Sequence, residues 1–358
     1  MNYLRVNEPF ELECGESLPA VEIAYTTYGT LSPAQDNVIW ICHALTANAD
    51  PMEWWPGLVG AGKLFDPARY YIVCANMLGS CYGSTGPASI DPASGKVYRL
   101  DFPEVTVRDM VRAHELLRDH LGIERIALAI GGSMGGQQAL EWAVMAPERM
   151  ERIALLATNA RHSPWGIAFN EAQRMAIRAD ATLYEDGPEA GRRGLEAARA
   201  VAMLSYRNYQ TYQQTQSEAN DGLPDDFRAA TYQRYQGLKL RKRFDVFAYL
   251  VLSRAMDSHN VGRSRDGVPA ALEQVQARTL VISIQSDLLF PVAEQVEIAN
   301  HVPRAQLAII DSLYGHDGFL IENEQIGRLV SRFMEDEPFQ APSFGYKLNG
   351  ARATDRTP

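Results

Sequence analysis

The sequence contains few cysteines and no long hydrophobic run. Its 358 residues include four cysteines, none in a Cys-x-x-Cys pair. Cys42 and Cys74 lie in apolar runs, where a reduced cysteine acts as a small hydrophobe, so neither disulfides nor a metal site are expected. No apolar run approaches the roughly 18 residues of a membrane span, and the first residues lack the pattern of a secretory leader. We therefore expect a cytoplasmic protein.

The sequence also has fewer basic residues than acidic ones, 34 against 44. The formal net charge is -10 at pH 7, which argues against nucleic acid or an anionic membrane as a partner, because both favour a basic surface. An anionic small substrate would need a local basic patch. The hydrophobic content of 46% and the charged content of 22% are ordinary for a globular protein with a large core.

Short apolar runs alternate with helical patterns in the first half of the chain. Residues 38–42 and 70–74 have the pattern of buried strands, and apolar residues recur at helical spacing between Val107 and Leu121. This alternation predicts a mostly parallel sheet covered by helices. Residues 161–276 lack strand patterns and are predicted to form a helical insertion that caps the sheet. We thus expect a core of residues 1–160 and 277–340, a lid of residues 161–276, and a C-terminal tail of residues 341–358.

A serine between glycines is the strongest chemical signal. Gly131, Ser133 and Gly135 form a Gly-x-Ser-x-Gly motif between an apolar strand pattern and a helical pattern. This is the form of a nucleophile elbow, in which a tight turn projects the serine hydroxyl into a pocket. The alternative is an ordinary glycine-rich turn. An exposed serine becomes a nucleophile only with a base in reach.

Candidate partners for Ser133 follow in the expected chain order of serine, acid and histidine. Asp287 and His316 each come just after a predicted strand near the C-terminus, where loops of a parallel sheet form a site. Of the seven histidines, only His316 has both this order and this loop context. Alternatives remain at this point: Asp287 as a helix N-cap, and His316 as an ordinary loop histidine.

Several further motifs resemble those of one family, the homoserine O-acyltransferases of the α/β-hydrolase superfamily, which activate homoserine for methionine synthesis. The resemblance extends over nearly the whole chain. It rests on motifs at residues 43–46, 54–60, 76–87, 102–109, 131–143, 206–207, 243–245 and 315–320. It implies the α/β-hydrolase fold with an inserted helical lid, a homodimer, and no permanently bound cofactor.

The resemblance also implies roles for single residues. Ser133 would be the nucleophile, His316 the base and Asp287 its orienting acid, while the backbone N–H groups of Leu45 and Met134 would stabilise the oxyanion. Arg207 would hold the carboxylate of the amino acid and Asp317 its ammonium, which suits a guanidinium and a carboxylate chemically. The run of cations at Lys239, Arg241, Lys242 and Arg243 is a candidate contact for coenzyme A phosphates, although a solvated helix face is the favoured interpretation.

The implied activity is acetyl transfer from acetyl-CoA to L-homoserine through an acyl-serine intermediate. One departure from the family pattern bears on the donor: Ala47 and Asn48 stand where the family commonly has glycine and an acid. The alternatives are succinyl transfer, transfer to serine, an esterase or thioesterase, and a noncatalytic binding protein.

Overall fold

A mixed sheet of eight strands forms the centre of the molecule. The computed structural model describes residues 1–220, 222 and 224–337; the predicted tail of residues 341–358 lies outside them. The strand order is β1-β4-β6-β5-β7-β8-β9-β10, and a separate two-stranded sheet pairs β2 with β3. The strands are β1 (Asn2–Val6), β2 (Phe10–Glu11), β3 (Ser17–Leu18), β4 (Val21–Tyr28), β5 (Val38–Cys42), β6 (Tyr71–Ala75), β7 (Leu128–Gly132), β8 (Arg152–Leu156), β9 (Arg278–Ile284) and β10 (Ala305–Ile310).

The pairing pattern matches the prediction for the central strands and adds two at one edge. From β6 through β10 the neighbours run parallel. Strand β4 pairs antiparallel with both β1 and β6. Neither of these two strands was predicted from the sequence. Strand β1 is mostly exposed and carries mixed polar residues, so it lacks the continuous apolar run of a buried parallel strand.

Both faces of the sheet are buried, as a parallel sheet requires. On β5, Val38, Trp40 and Cys42 belong to one hydrophobic cluster and Ile39 and Ile41 to another, since successive side chains point to opposite faces. All five are at most 1% exposed. The sheet is therefore the middle layer of three, with helices on each side.

Twelve helices are present in the described residues. They are α1 (Pro51–Trp54), α2 (Val107–His120), α3 (Met134–Met145), α4 (Pro164–Arg178), α5 (Arg192–Tyr206), α6 (Tyr209–Gln216), α7 (Arg228–Arg241), α8 (Val246–Asp257), α9 (Val268–Leu272), α10 (Val292–His301), α11 (Gly318–Ile321) and α12 (Asn323–Met334). None of these helices combines the length and the apolar character needed to cross a membrane.

Helices α4 to α8 follow β8 and form the lid. Helix α5 packs between α4 and α7, and it contacts the turn at Gly315–Asp317 on the core. The chain leaves and returns at one place, because the N–H of His162 donates to the carbonyl of His259 at 3.0 Å and that of Val261 donates to Ala160 at 2.9 Å. The lid thus sits over the loops at the carboxyl ends of the strands.

A partly buried ion-pair network joins helix α3 to the chain that follows the lid. The carboxylate of Glu141, on α3, is 2% exposed and accepts from Arg108 Nε at 2.8 Å and from Arg265 at 2.7 Å. Arg108 also donates to Glu13 at 2.7 Å, and Glu13 accepts from Arg263 at 2.7 Å. Because each guanidinium has a carboxylate partner, the charges are compensated where water is scarce.

Candidate active site

Ser133 occupies a sharp turn between a strand and a helix. Strand β7 ends at Gly132 and helix α3 begins at Met134. Ser133 has φ 56° and ψ -127°, a region that residues other than glycine rarely adopt. The turn is held by hydrogen bonds to the Ser133 carbonyl, which accepts from Gly136 N at 2.9 Å and from Thr158 Oγ1 at 2.8 Å. Such local strain is typical of functional turns.

The glycines on either side of Ser133 are required by close backbone packing. A Cβ atom on Gly135 would lie 2.1 Å from the carbonyl oxygen of Cys42, and one on Gly131 would lie 2.4 Å from the carbonyl oxygen of Gly135. Neither clash involves a movable side chain. The Gly-x-Ser-x-Gly spacing therefore lets helix α3 start directly against strand β5, with the serine at the apex.

Asp287 and His316 are joined by a buried hydrogen bond. His316 Nδ1 lies 2.7 Å from Asp287 Oδ2, and the two residues are 3% and 5% exposed. The other carboxylate oxygen accepts from the backbone N–H groups of Leu289 at 2.8 Å and Phe290 at 2.9 Å. The carboxylate is thus oriented by three donors, and its bond to Nδ1 leaves Nε2 of the imidazole as the free nitrogen.

The N-cap alternative for Asp287 is wrong. Helix α10 begins at Val292 with Pro291 in the cap position, and no side chain caps it. The loop between Asp287 and Pro291 is instead folded back onto the carboxylate. The Asp287 carboxylate therefore bonds to the backbone of its own loop and to His316.

Three aromatic rings surround the imidazole of His316. Phe290 stacks on it with ring centroids 5.0 Å apart and planes 22° apart, and Phe319 meets it edge-on at 5.3 Å. Tyr206, from the lid, lies at 5.8 Å. Phe319 also lies against Gly132, where a Cβ atom would be 2.3 Å from the ring. The rings therefore hold the imidazole beside the elbow, a role that no sequence spacing indicated for them.

The Ser133 hydroxyl itself has no hydrogen-bond partner within the described residues, His316 included. Ser133 is 5% exposed. Contacts between a nucleophile and its base often tighten only when substrate binds, so this arrangement is compatible with a serine that His316 activates.

Two backbone N–H groups next to the elbow are unoccupied. Met134 is the first residue of α3, so its N–H has no acceptor within the helix. Leu45 lies in the turn after β5, where Ala47 N donates to the Ala44 carbonyl at 3.0 Å. Neither the Leu45 nor the Met134 N–H bonds to another described residue, so both can serve a developing oxyanion.

Arg207 and Asp317 meet at the boundary between lid and core. Arg207 ends helix α5, and its Nε lies 3.0 Å from Asp317 Oδ2. The N–H is not aimed at this oxygen, so the contact is an ion pair without a hydrogen bond. The side chains are 16% and 15% exposed, and the guanidinium lies over the Tyr314 ring at 5.1 Å. A positive group from the lid and a negative group from the core are therefore adjacent, and Asp317 directly follows His316 in the chain.

Two other motif residues have local structural contacts. His43 Nδ1 lies 2.9 Å from the Ala44 carbonyl and its Nε2 accepts from Met77 N at 3.1 Å; burial lowers the pKa of His43 to about 4. Ser84, which lies between Gly83 and Gly86 in the motif at residues 76–87, donates to the Asn76 carbonyl at 2.8 Å and accepts from Ala24 N at 3.0 Å. Both side chains are fully used in holding loops.

No group of three or more His, Cys, Asp and Glu side chains within the described residues is arranged to hold a metal ion. The site offers instead a serine at a strained turn, a buried acid and imidazole pair, free backbone donors and an ion pair of opposite charges. Those groups suit acyl transfer through a covalent serine ester.

Comparisons with known proteins bear on the fold and the family of this chain. A family model described as the alpha/beta hydrolase fold matches residues 37–322. The homoserine O-acetyltransferase of Cyclobacterium marinum is 52% identical over 326 residues, which are 91% of this chain and 93% of that protein. Among solved structures, the homoserine O-acetyltransferase of Bacillus anthracis has a TM-score of 0.84 at 25% identity, over 93% of this chain and 96% of that one.

A mutant of esterase E22 is similar to the same degree, with a TM-score of 0.85 at 25% identity over 93% of this chain and 98% of that one. The predicted fold class is therefore confirmed. The identity and coverage of the curated relative go beyond a shared fold: the chain belongs to the homoserine O-acetyltransferase family within the α/β-hydrolase fold.

Proposed function

We propose that this protein transfers an acetyl group from acetyl-CoA to the side-chain hydroxyl of L-homoserine, a step of methionine biosynthesis. The observation that carries the proposal is the Arg207 and Asp317 pair beside His316, in a chain 52% identical to a homoserine O-acetyltransferase. A free amino acid carries both a carboxylate and an ammonium, and each finds an opposite charge at this pair. No resident cofactor or metal is needed for this chemistry.

In the first half-reaction, His316 Nε2 takes the proton of Ser133 and the serine oxygen attacks the thioester carbonyl. The Leu45 and Met134 N–H groups stabilise the negative oxygen of the tetrahedral intermediate. The carbon–sulfur bond then breaks, and coenzyme A leaves with the proton from His316. The Asp287 carboxylate keeps the imidazole in the tautomer that has Nε2 free.

In the second half-reaction, homoserine replaces coenzyme A. Its hydroxyl gives its proton to His316, its oxygen attacks the acyl-serine carbonyl, and the bond to Ser133 breaks as the serine regains its proton. Arg207 and Asp317 fix the amino acid by its two charged groups, so the hydroxyl is presented to the ester in place of water. The lid over the site supports transfer over hydrolysis by excluding water.

The turn after β5 favours acetyl over succinyl as the donated group. Asn48 Nδ2 donates to Glu53 Oε2 at 2.8 Å, and Asn48 Oδ1 accepts from Asp50 N at 2.8 Å. Both ends of the amide are therefore engaged, and the Glu53 carboxylate lies next to it. A succinyl group that extends towards this turn would bring a further carboxylate towards this like charge, which is unfavourable.

Hydrolysis is the second candidate, favoured by the similarity to esterase E22. One experiment separates the two: the protein is mixed with acetyl-CoA, with and without L-homoserine, and free thiol and O-acetylhomoserine are measured. We expect thiol release beyond the amount of protein present to depend on homoserine and to match product formation. Sustained release at the same rate without any amino acid would contradict the transferase proposal. Succinyl-CoA and L-serine replace each substrate in turn to test specificity.

We further propose a cytoplasmic homodimer that associates through the lid helices. Large apolar side chains are exposed on α4, α5 and α7, as the surface of a self-associating helical layer would require. They include Trp165, Met175, Leu204, Tyr235 and Leu238. Sedimentation of the purified protein and of a Leu204→Glu variant tests this proposal, since a dimer through this face predicts dissociation of the variant.

The division into a core of residues 1–160 and 277–340 and a lid of residues 161–276 remains our proposal for the domain organisation. The paired backbone of residues 160–162 and 259–261 supports a lid that leaves and rejoins the core at one hinge. The last part of the proposed insertion, after Val261, includes α9, which contacts α10 of the core.

A further inference from the structure

Arg243 reaches from the lid to the turn that carries Leu45. The residue lies between α7 and α8, and its Nη1 donates to the Thr46 carbonyl at 2.5 Å. Its Nη2 lies 3.2 Å from Thr46 Oγ1, and Nη1 also donates to the Tyr82 hydroxyl at 2.9 Å. A charged guanidinium thus contacts both the carbonyl and the hydroxyl of Thr46, the residue that follows Leu45. Charge-assisted hydrogen bonds are stronger than neutral ones.

The backbone at Arg243 is itself fixed against the core. The Tyr82 hydroxyl donates to the Arg243 carbonyl at 3.1 Å, and the Tyr82 ring meets Phe244 edge-on at 5.7 Å. Asp245 then caps helix α8 by accepting from Ala248 N at 2.8 Å. The direction of the Arg243 side chain is therefore set by contacts on both sides of it.

Arg243 differs in this respect from the other cations of its run. Arg241 pairs with Glu189 at 2.8 Å and Glu196 at 3.1 Å, both in the lid. Lys239, Lys242 and Arg243 are all exposed to solvent. Of the four cations, Arg243 is the one that hydrogen-bonds to the turn after β5, so its guanidinium is directed towards the core although the residue is at the surface.

From these contacts we infer that Arg243 is a positioning residue for the oxyanion hole, coupling the lid to the turn that presents the Leu45 N–H. The inference rests on the proposed role of Leu45 in acyl transfer. Within the turn, the Ala44 carbonyl accepts from Ala47 N and lies 2.9 Å from His43 Nδ1, and the guanidinium adds a contact to Thr46 from the lid. Stabilisation of an oxyanion depends on donors held in place before the reaction, so a loosened turn lowers the rate of acylation.

The test is the single-turnover acylation of Ser133, followed by thiol release in the absence of any acceptor. Two donors are compared, acetyl-CoA and S-acetylpantetheine, which lacks the nucleotide and its phosphates. We expect Arg243→Ala to slow acylation about 10- to 100-fold with both donors, the scale of a misplaced catalytic group. The concentration of donor that gives half-maximal rate should stay within about 2-fold, since binding is not lost.

Rescue and control variants separate positioning from a general loss of structure. Millimolar guanidinium ion or Arg243→Lys should restore part of the rate, and Lys242→Ala, which removes the adjacent charge, should leave it unchanged. Tyr82→Phe keeps the ring packing and removes one partner of the guanidinium, so it should slow acylation by a smaller factor. This last variant carries the test if Arg243→Ala does not fold.

Two results would overturn the inference. One is a higher half-saturating concentration of acetyl-CoA in Arg243→Ala, with that of S-acetylpantetheine unchanged. This result would make Arg243 a contact for the phosphates of coenzyme A. The other is an unchanged rate in the folded Arg243 variants and in Tyr82→Phe. Because acylation needs no homoserine, these outcomes are distinct from a failure of the wild-type protein to acetylate homoserine, which would refute the proposed function alone.

Discussion

Replacing Asp287 by asparagine should remove the activity and keep the fold. The asparagine oxygen can still accept from the N–H groups of Leu289 and Phe290, which lie 2.8 and 2.9 Å from Oδ1. The amide nitrogen then faces His316 Nδ1, where the carboxylate oxygen lies at 2.7 Å in the native protein. Two donors cannot bond, so the imidazole takes the tautomer with its proton on Nε2.

That tautomer cannot act as a base towards Ser133, because Nε2 is the nitrogen that must receive the proton. The comparable loss in serine enzymes is on the order of 10⁴ in turnover, or about 5.5 kcal/mol of barrier. We expect the same scale for acetyl transfer by Asp287→Asn. The melting temperature should change little, because the buried backbone donors keep their partner.

Asp287→Ala is the matched comparison, since it also removes the acceptor for Leu289 and Phe290. Each buried N–H left unpaired costs about 1–3 kcal/mol, so this variant should lose both activity and stability. Thiol release from acetyl-CoA in the presence of homoserine and thermal unfolding measure the two effects. Retention of activity within 10-fold of wild type by Asp287→Asn would refute the assigned role of this acid.

Four other variants test the ion pairs and a buried histidine. Arg207→Ala and Asp317→Asn should lower kcat/KM for homoserine by a factor that corresponds to about 2–5 kcal/mol, the cost of truncating one partner of a desolvated charge pair. Acylation of Ser133 without acceptor should persist; an equal loss of acylation would contradict a role of these residues in binding homoserine. Glu141→Ala removes the carboxylate paired with Arg265 and leaves Arg108 with Glu13 alone; it should lower the free energy of unfolding by about 3 kcal/mol, the low end of the cost of breaking a buried pair, as urea titration would measure, and a loss under about 1 kcal/mol would show that the network is dispensable. Burial lowers the pKa of His259 to about 3, so it stays neutral when folded and gains a proton near pH 6.5 when unfolded. This residue therefore removes stability as the pH falls below 6.5, by about 2 kcal/mol at pH 5, and the urea stability of His259→Asn should depend less on pH over that range; an identical pH dependence would contradict the buried neutral state.

The sequence indicated the central sheet and the helical lid because these elements have simple patterns. Strands such as β5 and β9 are short apolar runs buried on both faces, and such runs are recognisable without knowing their neighbours. The edge strand β1 and its neighbour β4 were not predicted. Their pairing comes from backbone bonds to a neighbouring strand, and side-chain patterns carry little information about those bonds.

Chain order and sequence motifs predicted part of the candidate site. Ser133, Asp287 and His316 follow from their positions after strands, and their roles remain predictions. The ring of Phe290 on His316 and the reach of Arg243 to Thr46 depend on contacts between segments far apart in the chain. Arg243 was noticed as the first residue of the motif at residues 243–245 and as one cation in a run, and neither observation indicates which member of the run turns towards the core.

The most direct test of acyl transfer through Ser133 is the intact mass of the protein after mixing with acetyl-CoA alone. We predict a gain of one acetyl group, located on Ser133 by peptide mapping and absent in Ser133→Ala. Addition of L-homoserine should remove this group and yield an equal amount of O-acetylhomoserine. Product formation without any acetylated protein, or an acetylated protein that homoserine does not discharge, would contradict the covalent mechanism.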